Sequence, residues 1–359
     1  MALAWTLFLL LSSASAQPSL PPWTWGTVPT FVHCSNSSGP LNDAILDTMA
    51  AASWTVIEKF QCVECAPVGR GGEAKVLAAA AQIRARNPNS AIFFYFSAVL
   101  ARRWYALGEY FDAHPALEVH NADGSLANST PISENSTWHI FGHNEPTATR
   151  AWVDDVAQTV AKGDLQGVFI DGYRDPSTWA SQRIPLANAS TQAAWVDAAW
   201  NETGPGLAAA LPAAAIRISN GASESPPGFN ALSIEFFTPT NVSIAQLEAL
   251  RGTFVEVHAY AGANSTLFAL SLTAFLLGAQ EGHYFGAGDT WDTCDSWMVA
   301  PQLADYARPL GAAVTAGPRV TRAFATGTTA ALVVDARGKG VAACVRWADG
   351  AMTGTPGGC

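Results

Sequence analysis

Charge is scarce in this chain. Asp, Glu, Lys and Arg make up 13% of its 359 residues, and 19 basic side chains face 29 acidic ones, a formal net charge of -10. Nucleic acids and anionic membrane surfaces demand a basic face, so neither is expected as a partner. Long apolar runs are missing too. The stretches Leu7–Leu11 and Leu267–Leu277 stop short of the roughly 20 residues that cross a bilayer. There is no Gly-x-Ser-x-Gly elbow, no glycine loop before Lys-Ser/Thr, no zincin pair of His and no dinucleotide fingerprint, so no cofactor and no metal is expected. What is abundant, 30 Gly and 13 Trp at low charge density, excludes a disordered chain.

The amino terminus carries an apolar core followed by Ala14-Ser15-Ala16, a small-x-small pattern that predicts a signal peptide over residues 1–16 and export of the mature chain. Sequons at Asn36, Asn128, Asn135, Asn188, Asn201, Asn241 and Asn264 fit passage through a glycosylating compartment. The six cysteines form an even set in an oxidising setting, which permits three disulfides with their connectivity open. Cys62-Val63-Glu64-Cys65 has no second pair and no clustered His to make a zinc site, so it reads as structural.

From Thr30 onward, short apolar runs alternate with helical periodicity, the pattern of strands buried on both faces of a parallel sheet. Eight strands are predicted: Thr30–Cys34, Trp54–Phe60, Ala91–Ser97, Gly167–Asp171, Ala215–Ser219, Leu232–Phe237, Thr253–His258 and Gly282–Gly286. Helices are predicted between them, a single one over Gln192–Leu211 among them. The fold class is therefore α/β, a (β/α)8 TIM barrel over residues 17–315. Residues 316–359 add a small β-hairpin, Thr329–Val334 with Val341–Trp347, tied to the tail by Cys344 and Cys359. Closing the barrel would bring Cys34, Cys294 and Cys62 or Cys65 to one face. The Asn- and His-rich stretch from Val99 to Thr149 reads as a long loop whose Trp104, Trp138, His139, His143 and Glu145 wall a cleft.

Barrel chemistry gathers at the carboxyl ends of the strands. The foremost residue there is Asp171, where the apolar run Gly167-Val168-Phe169-Ile170 ends in Asp-Gly and the backbone turns away to leave room for a ligand. Splitting a glycosidic bond takes two carboxyl groups, and Glu235, two strands along and flanked by bulky apolar residues that would raise its pKa, ranks first as partner. Glu256 shares a strand face with His258, and a hydrogen-bonded pair there would hold a sugar hydroxyl or simply form an internal polar layer. Glu58 precedes Lys59, and strand alternation would place these two on opposite faces. His33 ends the first strand, Tyr173 follows Asp171, and Asp289 and Trp291 lie in the loop after the eighth strand. An aromatic beside carboxylates suits a sugar, apolar in its faces and hydroxylated at its rim. Three Asp in that last loop match no calcium-loop spacing.

Phe31-Val32-His33-Cys34-Ser35, Val56-Ile57-Glu58-Lys59, Phe94-Tyr95-Phe96-Ser97, Val168-Phe169-Ile170-Asp171-Gly172 and Glu235-Phe236-Phe237-Thr238 together resemble a hypothetical glycosyl hydrolase group of TIM barrels, over most of residues 26–315. The chain is more distantly similar to endo-α-1,4-polygalactosaminidase-like barrels, which share an Asp at the end of the fourth strand. The resemblance implies a TIM-barrel hydrolase of a polysaccharide or oligosaccharide, and Asp171 is the position it carries over. Asp171 is then nucleophile or base and Glu235 general acid, with Glu58, Tyr173, Glu256, His258, Asp289, Trp291 and His33 shaping the sugar site. A secreted carbohydrate-binding protein on the same scaffold, without turnover, is the competing expectation.

Overall fold

The computed structural model describes residues 22–121, 123–129, 138–172, 189–221, 225–291, 293–313 and 321–357. Eight parallel strands form the centre: β1 (Phe31–Cys34), β2 (Trp54–Ile57), β3 (Ala91–Ser97), β7 (Gly167–Asp171), β8 (Ile216–Asn220), β9 (Ala231–Ile234), β10 (Phe254–Ala259) and β11 (His283–Ala287). They pair in that order, and the ring closes where Phe285 N–H donates to the Pro29 carbonyl at 2.8 Å and Thr30 bridges to Phe285 in parallel. The predicted (β/α)8 barrel is thus the observed architecture. The strands are largely buried on both faces because helices cover the outside while side chains fill the inside. Inside, Trp54 stacks on Phe93 at 4.4 Å with Tyr284 beside it at 5.0 Å. Above them Tyr95 stacks on Phe169, and His33 meets Phe169 edge-on.

Two strands end earlier than the residue pattern suggests. β2 stops at Ile57 and β9 at Ile234, so Glu58 and Glu235 sit just past their strands, on the loops at the barrel mouth. The predicted helix Gln192–Leu211 is two helices, Ala189–Asn201 and Thr203–Ala210. Pro205 cannot continue a helix begun upstream, and Gly204 is pressed so closely against Pro227 that a Cβ would lie 2.0 Å from its carbonyl oxygen. Between β8 and β9 no helix occurs among the described residues, as the short Pro226-Pro227 connection implies.

Residues 99–149 are not a structureless loop. They hold β4 (Leu100–Ala101), β5 (Asn128–Ser129) and β6 (Trp138–Ile140), a small antiparallel sheet in the order β4-β6-β5, and the helix Ala106–Ala113. Trp104 and Trp138 meet edge-to-face at 4.8 Å inside this lobe, and His143 is buried with its Nε2 2.7 Å from the Ala98 carbonyl oxygen. These rings build a core instead of walling a cleft; only Glu145 of that set is exposed.

At the carboxyl terminus the predicted hairpin is β13 (Thr329–Val334) with β14 (Gly340–Arg346), widened by β12 (Thr321–Ala323) and β15 (Met352–Gly354) to four antiparallel strands. Its inward Leu332, Ala343 and Val345 pack with Phe268, Leu272 and Phe275 of the helix Ser265–Gly278. That helix is apolar all round because it is covered on one side by the barrel and on the other by this sheet. No helix among the described residues is long and apolar enough to cross a membrane.

Cys34, ending β1, is bonded to Cys294 in the loop after β11, which staples the seam where the barrel closes. Cys62 is bonded to Cys65. Cys344 is bonded as well, while Cys359 lies outside the described residues. Asn201 and Asn264 are exposed and Asn36 and Asn241 half-buried; Asn135, Asn188, the Asn128 side chain and residues 1–16 lie outside the described set.

Candidate active site

Three adjacent strands deliver the centre of the site. β7 ends in Asp171 and β8 in Asn220, and both are followed by a glycine with positive φ, Gly172 at 74° and Gly221 at 97°, that swings the backbone off the barrel rim. Glu235 follows β9. The Asn220 amide nitrogen donates to Asp171 Oδ1 at 2.9 Å and to Glu235 Oε2 at 2.9 Å. An amide oxygen turned toward two carboxylates would be repelled, so the NH2 group is the one between them. The two N–H bonds of one amide diverge by about 120°, so linear bonds of this length would set the accepting oxygens about 5 Å apart.

Both carboxylates have further donors. Asp171 accepts from the Tyr95 hydroxyl at Oδ2 and from Gly172 N–H at Oδ1, 2.7 Å away. Glu235 Oε1 accepts from the Tyr260 hydroxyl at 2.5 Å and the Trp291 indole N–H at 3.0 Å. Burial holds both phenols protonated, pushing Tyr95 well above its ordinary range and Tyr260 upward as well, with the neighbouring carboxylates adding to the shift. Glu235 is therefore not enclosed by its apolar sequence neighbours. It is half-buried in a shell of donors, with Phe236 turned outward.

Trp291 reaches across the mouth from the loop after β11, its ring 4.2 Å from His33 and 3.9 Å from His258. Gly288 makes this loop possible. A Cβ there would lie 2.5 Å from the Trp297 ring, which stacks on His258 at 4.9 Å. His33 is buried, without a hydrogen-bond partner for either ring nitrogen among the described residues, and is held neutral by burial and by the Lys59 charge.

Glu58 and Lys59 do not take opposite faces. Strand alternation ends with Ile57, and the Lys59 ammonium turns back to pair with Glu58, both buried. Lys59 Nζ lies 4.7 Å over the Tyr95 ring and the Arg102 guanidinium 5.2 Å from it, so two cations sit behind the phenol that holds Asp171. Glu256 and His258 do not bond to each other. His258 Nε2 lies 3.0 Å from the Gly288 carbonyl oxygen, and Glu256 is fully buried deep in the barrel near Ser233 and Trp54, out of a sugar's reach. Asp289 is exposed over Gly262, outside the chain of bonds joining the two carboxylates. Tyr173 lies outside the described residues.

The residue missed by sequence reading is Asn220. Its signal was present: Ile218-Ser219-Asn220-Gly221 repeats the strand-polar-glycine ending of Ile170-Asp171-Gly172. Tyr95 and Tyr260 had no such signal, since a Tyr in an apolar run looks like core.

Only one cluster among the described residues has metal-ligating groups converging, Asp112, Glu118 and His139 in the small lobe. Glu118 Oε2 is 2.7 Å from His139 Nδ1, and Arg103 lies 3.1 Å from Asp112. Arg103 already supplies the cation this cluster would seek.

The buried titratable groups fix a pH window. Burial raises Glu256 to about 8 and lowers His143 to about 4 and His258 to about 3. The folded state thus keeps a proton on Glu256 that the unfolded chain gives up above its ordinary 4.5, so stability falls as pH rises toward 8. It refuses protons on the two imidazoles that the unfolded chain takes up below 6.5, so stability also falls in acid. Asp155 and Glu118, raised by burial to about 7, act in the same direction as Glu256, and His283, lowered to about 4, acts with the two imidazoles. Above pH 6.5 the carboxyls dominate, so urea midpoints should fall there, with Glu256 alone costing about 2 kcal/mol between pH 6.5 and 8. The Glu256→Gln protein should lose less over that alkaline interval; an identical decline would sink the assignment.

Residues 84–328 match the family model described as hypothetical glycosyl hydrolase family 15. No curated protein matches the sequence. Among solved structures, the xylosidase from Aspergillus niger is 11% identical with a TM-score of 0.51, over 81% of this chain and 48% of that one. The α-L-fucosidase isoenzyme 2 from Paenibacillus thiaminolyticus is 11% identical with a TM-score of 0.49, over 77% of this chain and 49% of that one. The α-galactosidase from Thermus thermophilus is 14% identical with a TM-score of 0.47, over 80% and 66%. This chain thus spans less than two thirds of the length of each, and at these identities the likeness to the xylosidase establishes the barrel fold alone.

Proposed function

The chain belongs to hypothetical glycosyl hydrolase family 15, and from that premise we propose that it is a secreted, N-glycosylated glycosidase acting through Asp171 and Glu235 with retention of configuration. The observation that carries this reading is the Asn220 amide bonded to both carboxylates. A spacing of about 5 Å matches retaining enzymes, whereas inverting ones leave roughly 6.5–9.5 Å for a water between the groups.

In the first step Asp171 attacks the anomeric carbon while Glu235 gives its proton to the glycosidic oxygen. The carbon–oxygen bond to the leaving sugar breaks and an ester to Asp171 forms. In the second step Glu235 takes a proton from water, whose oxygen displaces Asp171 and frees the sugar. Tyr95 and Gly172 N–H hold Asp171 in its attacking orientation, and Tyr260 and Trp291 hold Glu235. Trp291 floors the sugar with the apolar face of its ring, and the buried His33 lies beneath it and supports it.

Incubation with a panel of 2-deoxy-2-fluoro glycosyl fluorides, followed by peptide mass mapping, tests it. The expected result is one covalent sugar on the peptide containing Asp171, with product released in the substrate's anomeric configuration. A label on Glu235 would reverse the two roles, and inverted product would remove the covalent step.

A further inference from the structure

Phe236 departs from what its residue type dictates. It is 66% exposed, although large aromatics bury surface wherever they can, and its backbone sits at φ 60°, a left-handed conformation that is strained for a bulky side chain. The ring is not loose. It lies face to face on Tyr260, with centroids 4.6 Å apart and planes 14° from parallel, and Tyr260 in turn donates to Glu235. Packing does not require this arrangement, since one face of the ring is left in water.

The strand order says which side of the site the platform serves. Asp171 leaves β7, Asn220 β8 and Glu235 β9, and Tyr260 follows β10, so Phe236 and Tyr260 lie beyond Glu235 on the side away from Asp171. Glu235 stands at the glycosidic oxygen in the reading above, and what lies past that oxygen is the leaving group.

We propose that Phe236, backed by Tyr260, is the platform that receives the sugar on the leaving-group side of the scissile bond, so that the substrate is an oligosaccharide or polysaccharide whose leaving residue presents an apolar face. This rests on the assignment of Glu235 as the acid and adds a specificity determinant to it. The strained backbone holds the ring upright at the mouth, ordered before the sugar arrives, which spares the entropy of fixing it on binding.

Phe236→Gly tests the platform cleanly, because glycine takes φ 60° without strain and the lost side chain is exposed, so the fold is kept. The readout is the ratio of kcat/KM on an oligosaccharide to kcat/KM on the matching glycosyl fluoride, which has no leaving sugar. That ratio is expected to fall about 10- to 100-fold, the worth of covering one aromatic face, and to be restored largely by Phe236→Tyr. An unchanged ratio in Phe236→Gly would overturn the platform while leaving the two-carboxylate reading intact. Wild type that turns over neither substrate would overturn both.

Discussion

Asp171→Asn is expected to lower kcat on the order of 10⁴-fold on every substrate, whatever its leaving group, because the amide cannot form the ester on which both steps depend. Glu235→Gln should behave differently. Its loss, about 10²- to 10⁴-fold, should fall on sugars whose leaving oxygen needs a proton, and should shrink for glycosyl fluorides, which leave unaided. Steady-state kinetics of the two variants on matched oligosaccharide and fluoride substrates separates the roles: a leaving-group dependence in Asp171→Asn and none in Glu235→Gln would exchange them. Full turnover in Asp171→Asn would end the assignment of Asp171 as nucleophile. Glycan binding by wild type without any turnover would favour the carbohydrate-binding alternative, for which the same pair would serve only as hydroxyl acceptors.

The second large effect belongs to Asn220, which touches both carboxylates and acts through their placement. Asn220→Ala removes the one group bonded to both and frees the two carboxyl groups to move relative to each other. A displacement of the order of 1 Å costs about 10²-fold in kcat, and KM should change far less, since sugar contacts come from other residues. Asn220→Asp keeps the shape but sets a third carboxylate between the two. A like charge disfavours ionisation, so both limbs of the pH–rate profile should move to higher pH, beyond any loss in rate. A purely structural Asn220 would lower stability in both variants and leave the profile where it was.

Much of the architecture was legible in the order of residues. Runs such as Ile92–Phe96, apolar on both faces, make sense only inside a parallel sheet, and eight of them alternating with helical periodicity make a closed barrel economical. Asp171 was legible for the same reason, an acid and a glycine terminating such a run. The errors have physical causes. Glu58 was placed by strand alternation, which lapses where β2 stops at Ile57 and lets Lys59 fold back onto it. Trp104 and Trp138 were placed in a cleft because their segment looks irregular, yet each is large enough to require a core, and they built one between short strands. Glu256 and His258 do share a face of β10, but two residues along a strand span about 6.6 Å, enough to separate a buried carboxyl from an imidazole at the mouth.

What the sequence determined by itself is local: where strands and helices lie, which ends are polar, and that acids outnumber bases. Only the tertiary structure decided that Asp171 and Glu235 share one amide, that Cys34 is bonded to Cys294 across the seam, and that an exposed Phe236 lies on Tyr260. Each of these depends on distances between strands far apart in the chain. Those distances are fixed by barrel closure, and no local pattern of residues encodes them.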